Sequence, residues 1–88
     1  MNWYLVSVRP NKRDLFNKHL DFAINSNQLG ELFVDRISPK DAMYKDMILM
    51  QISNLKLAQA KLREIDYFQR IEPRPLSEKQ MSQFLQES

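Results

Sequence analysis

Residues 46 to 52 read Asp46-Met47-Ile48-Leu49-Met50-Gln51-Ile52, and no other stretch restricts the fold as much. Apolar side chains stand at odd positions, Met47 and Leu49, and at even ones, Ile48, Met50 and Ile52. Successive side chains of a strand point to opposite faces. A strand with one wet face therefore alternates, and one covered on both faces does not. The stretch is expected to be a central strand, with helices on one face and something apolar on the other. What covers that second face is the functional question.

The flanking sequence supplies the partners. Trp3 to Val8 is aromatic and β-branched with both parities apolar, so it reads as another interior strand, ended by Pro10. Asn11 is expected to cap a helix, with Asp14 suiting its positive end. Leu15, Phe16, His19, Leu20, Ala23 and Ile24 then recur at helical spacing, and the helix is expected to stop near Asn25-Ser26-Asn27, with Gly30 in the turn beyond. Glu31 to Ser38 reads as a strand, with Leu32 and Val34 on one side and Phe33 and Ile37 on the other. Its short connection through Pro39 to the central strand favours an antiparallel hairpin. Ser53 or Asn54 caps the next helix, whose stripe is Leu55, Ala58, Leu62 and Ile65. Tyr67 to Ile71 gives the last strand, and Glu72-Pro73-Arg74-Pro75 a stiff connector. Ser77 and Gln80 fit a capping box, Leu76 and Met81 a hydrophobic staple, and Met81, Phe84 and Leu85 the buried stripe of a final helix. The expectation is an α+β, ferredoxin-like β-α-β-β-α-β-α sandwich with a mostly antiparallel four-stranded sheet and three helices, in one domain covering 1–88.

Composition limits the chemistry. A chain of 88 residues hides only about 60–65% of the surface its unfolded form exposes. With no cysteine, disulfides and thiolate metal sites are excluded, and one histidine excludes a multi-histidine site within the chain. A single glycine leaves no glycine-rich phosphate loop. The opening apolar run is too short for a signal sequence or a membrane span. The net charge is only +2, but Arg9, Lys12, Arg13 and Lys18 crowd the first twenty residues against Asp14 alone. Such a patch attracts an anionic polymer; it also reads as an ordinary solvated helix face.

No catalytic constellation stands out. His19 lies beside the apolar stripe of its helix, the place of a boundary histidine. The carboxylates are scattered among lysines and arginines, and the five methionines suit irregular core gaps. A binding protein is expected, with no enzyme activity, metal or cofactor.

Several segments, in order along nearly the whole chain, resemble the NusG N-terminal domain family of transcription elongation factors, which includes RfaH. Trp3-Tyr4-Leu5-Val6 with a basic turn and helix is similar to the family's opening. Gly30-Glu31-Leu32-Phe33-Val34 resembles the strand before its characteristic turn. Tyr44-Lys45-Asp46-Met47-Ile48-Leu49-Met50 stands where the family has an aromatic and Pro-Gly-Tyr-Val-x-Val, with Lys45-Asp46 replacing Pro-Gly. Leu62 to Phe68 stands where the family has the segment leading to its last strand, and Pro73-Arg74-Pro75-Leu76-Ser77-Glu78-Lys79-Gln80-Met81 closely resembles its closing motif. The loop before Tyr44 is shorter than in bacterial NusG. The expected form is the N-terminal domain alone, without the KOW barrel.

The resemblance implies a processivity or pause-modulating, antitermination-type factor. It would dock on the clamp helices of the largest subunit of RNA polymerase and touch the non-template DNA strand weakly. By position, Tyr44, with Met43, Met47 and Phe33, would line the clamp-binding depression; the plain alternative is that Tyr44 closes the core edge. Arg9, Lys12, Arg13, Asn17 and His19 would face DNA. The implied setting is a bacterial cytoplasm, or a plastid stroma, with a monomer when free. Two other readings stay open: an RNA-recognition module using Tyr4, Phe33 and Tyr67 on an open sheet face, and an assembly subunit pairing that face with a copy of itself.

Overall fold

The structure, a computed structural model, describes residues 1–86. Four strands, β1 (Asn2–Val8), β2 (Phe33–Ile37), β3 (Met47–Ile52) and β4 (Phe68–Ile71), form one sheet in the order β2-β3-β1-β4. Each neighbouring pair is antiparallel. The helices are α1 (Arg13–Asn27), α2 (Leu55–Leu62) and α3 (Glu78–Gln86), with a 3-10 turn at Ala42–Tyr44. This is the expected ferredoxin-like α+β arrangement, with β3 and β1 in the middle.

The central strands follow the parity rule. Paired residues of antiparallel strands share a face, and Tyr4, Val6 and Val8 stand opposite or next to Met50 and Ile48. These even-numbered side chains meet Phe16 and Leu20 of α1 and Ala58 and Leu62 of α2 in the main core. Leu49, paired with Leu5 and Ile37, points the other way and is equally inaccessible, at 0% exposure. Hiding one such side chain is worth about 1.5–3 kcal/mol. The cover on this second face is α3: Leu76, just before it, donates its N–H to the Trp3 carbonyl at 2.8 Å, and Phe84 packs edge-on against Tyr44, centroids 4.7 Å apart.

The capping box holds. The Ser77 hydroxyl accepts from the Gln80 N–H at 3.1 Å, and the Gln80 side chain accepts from the Ser77 N–H at 2.8 Å. Asn54, one of the two expected caps, accepts from Leu57 N–H at 3.1 Å. Leu76 and Met81 line one groove with Trp3, as a staple should.

Other local expectations fail for identifiable reasons. Asn11 does not cap α1. It adopts a left-handed conformation, φ 64, and donates its N–H to the Asp46 carboxylate at 2.9 Å, so the cap position falls to Lys12, without a side-chain bond. Phe33 and Ile37 do not share a face, because the register shifts between Phe33 and Asp35. A bulge adds one residue to the strand and reverses its later side chains. Leu32 and Phe33 thus both enter the main core, whereas Val34 is exposed. Leu15 is 40% exposed; six apolar positions on α1 cover more than the helix can bury on one side. Helix α2 stops at Leu62, and Ile65 packs on the core from the turn beyond it. Tyr67 stands outside β4 with φ 74, a conformation costing roughly 1–2 kcal/mol for a side chain with a Cβ.

Candidate binding surface at the β2–β3 connection

The connection between β2 and β3 is held from both sides. Asp41 caps the 3-10 turn, its carboxylate accepting the Met43 N–H at 2.8 Å. From α1, one guanidinium nitrogen of Arg13, Nη1, donates to the carbonyls of Pro39 at 2.8 Å, Tyr44 at 3.1 Å and Met47 at 3.1 Å. Pro39 is buried beneath it. A second tie joins the β1–α1 turn to the start of β3: Val8 N–H donates to the Asp46 carbonyl at 3.0 Å, beside the Asn11–Asp46 bond. The backbone around Met43 is therefore fixed, although its side chain is 71% exposed.

Met43 and Met47 line the same open depression, about 250 Å³, with Ser7, Pro10, Lys45 and Gln69. Tyr44 is half-buried, and Phe84 of α3 already occupies one side of its ring. Phe33 takes no part in this surface. At 5% exposure it belongs to the core on the opposite side of the sheet, a placement set by the β2 bulge. Of the four residues expected together, only the two methionines line the depression; Tyr44, next to Met43 in the chain, does not line it, and its ring packs on Phe84.

The DNA-facing set divides in a similar way. Arg13 is turned inward onto the three carbonyls. Asn17 is engaged at both ends of its amide, accepting from Arg36 Nη1 at 2.9 Å and donating to the Ser38 hydroxyl at 3.3 Å. Arg36 also pairs with Asp21, fastening β2 to α1. Arg9, Lys12 and His19 remain exposed. Two of these side chains meet at Tyr67: the Lys12 ammonium is 5.5 Å from its ring centroid and the His19 ring meets it edge-on at 5.9 Å, while the backbone N–H of Arg9 donates to its carbonyl at 2.9 Å.

The aromatic platform required by the RNA-recognition reading does not form. Tyr4 and Phe33 are buried under the helices, Tyr67 lies beside α1, and α3 lies on the other face. Sequence reasoning missed the inward role of Arg13, which residue type alone does not distinguish from a solvated arginine. It also missed the Tyr44–Phe84 contact, although both side chains fall on apolar positions beside the second face.

No protein-family model matches the chain, and no curated protein matches it in sequence.

Proposed function

We propose that the chain is an RNA polymerase accessory factor of the NusG N-terminal type, which grips the clamp helices with the surface around Met43, Tyr44 and Met47. The observation that carries this reading is Met43: an exposed, adaptable thioether on a backbone pinned by Asp41 and Arg13. A fixed backbone lowers the ordering cost of binding, and methionine moulds to the tip of a helical hairpin. The strand order, the closing capping box and the sequence motifs quoted above support the same reading. The factor acts by interface burial, favouring the closed clamp over the open one. No bond is made or broken. Arg9, Lys12 and His19 form the nucleic-acid flank; so few cations make a weak, salt-sensitive contact, and the polymerase does the recruiting.

Titration of a fluorescently labelled chain with purified bacterial RNA polymerase tests this. Met43→Glu is expected to weaken binding at least about tenfold, since it puts a charge into an apolar contact, with an unchanged melting temperature. Equal affinity of this variant and the wild type removes the docking surface. Tyr44→Ala is a poorer probe, because it also removes the ring contact with Phe84 of α3. Reversing the charge of Arg9 and Lys12 is expected to change pausing in a single-round transcription assay while affinity changes little. An unchanged pause pattern removes the DNA-facing role.

A further inference from the structure

Among the described residues three non-glycines have a positive φ, Asn11, Gln28 and Tyr67, and Tyr67 is the only aromatic one of them. Its backbone lies in the left-handed region, φ 74, where glycine sits without penalty. It is held there because its carbonyl accepts the Arg9 N–H at 2.9 Å and the next N–H, of Phe68, donates back to Ile65 at 3.3 Å. A tyrosine at such a position keeps its strain only if the ring is worth something. Part of that worth is packing, because the ring lies against the main core, but not all of it is covered. It is half-buried, packed against the core margin on one side and flanked by exposed Lys12 and His19 on the others.

We propose that Tyr67 is the platform on which one unpaired base of a single-stranded nucleic acid stacks, with Arg9 and Lys12 taking the flanking phosphates. This deepens the nucleic-acid reading above and rests on it. Aromatic stacking binds any base, because every base has a π face, and cations beside the ring track the backbone. The Lys12 ammonium is a point charge on a flexible stem. A base arriving on the ring face it covers takes its place, and the ammonium moves to the adjoining phosphate. The same ring beside His19 has no use for a duplex, whose bases are already stacked.

The test is fluorescence anisotropy of a labelled fifteen-nucleotide oligo-dT against the full chain at low salt. Tyr67→Gly keeps the backbone conformation and removes only the ring; circular dichroism checks that it is folded. It is expected to weaken binding at least about fivefold, and Tyr67→Phe to leave it within about twofold. An oligonucleotide of abasic sites is expected to bind the wild type as weakly as oligo-dT binds Tyr67→Gly. The salt dependence should be the same for Tyr67→Gly as for wild type and shallower by about one unit for Lys12→Gln. A structural role for the ring moves the melting temperature but none of these readings. Equal affinity of Tyr67→Gly and wild type, equal binding of abasic and intact strands, or preference for duplex overturns the proposal. Failure of wild type to bind oligo-dT overturns it together with the nucleic-acid flank, and leaves the clamp surface to be judged by Met43→Glu alone.

Discussion

Arg13 shows how little a residue's type says about its task. By charge and position it belongs with Arg9 and Lys12 in the basic stretch that leads into the first helix. Its guanidinium nevertheless turns inward and serves three carbonyls, two in the β2–β3 connection and one at the first residue of β3. Hydrogen bonds from a charged donor are worth about 1.5–3 kcal/mol, and carbonyls left bare in a half-buried site add to the loss. Arg13→Ala is expected to lower stability by roughly 2–3 kcal/mol in urea unfolding. Arg13→Lys recovers part of this, because an ammonium also has several donors but lacks the fork geometry. Loss of less than about 0.5 kcal/mol, the size of an ordinary surface change, would show that the three bonds do not hold the connection. On the proposed clamp reading, the same substitution is expected to reduce polymerase affinity without removing any contact atom, since Met43 would lose its fixed backbone.

Among the elements, α3 decides whether the sheet has one covered face or two. Its residues are polar except for Met81, Phe84 and Leu85, so it gains its place by packing and not by propensity. Two local devices prepare it: the Ser77–Gln80 capping box and the rigid Pro73 to Pro75 approach. Ser77→Ala is expected to cost about 1 kcal/mol and to raise hydrogen exchange first in the amides of α3. Stopping the chain after Pro75 removes the cover from Leu49 and leaves an apolar strip along β3 and β1. That truncated form is expected to self-associate and bind a hydrophobic dye, by light scattering and fluorescence. A monomeric, dye-silent product would mean that α3 is dispensable to the sandwich.

At the scale of the whole molecule, β3 belongs to both layers. Its Ile48, Met50 and Ile52 close the core under α1 and α2, while Leu49 closes the layer under α3. Neither layer can open without exposing this strand, which makes the sandwich one cooperative unit. Calorimetry is expected to give a single transition, with an unfolding enthalpy of roughly 60 kcal/mol near 60 °C for a chain of this length. Two resolved transitions would show that α3 melts on its own. Among the described residues no helix is long and apolar enough to cross a membrane.

The amino-acid sequence determined the elements and their order. Apolar residues of both parities marked β1 and β3 as interior strands, and the Ser77 capping box was readable because it is set by neighbours three residues away; the helix stripes were readable only in part, since Leu15 of α1 and Leu85 of α3 stay exposed. Only the tertiary structure decided what those elements do to one another. The β2 bulge sends Phe33 into the core, the three carbonyls turn Arg13 inward, Phe84 settles against Tyr44, and a bond from Arg9 helps hold Tyr67 left-handed. Each of these depends on a partner many residues distant, and a local pattern carries no record of who that partner is.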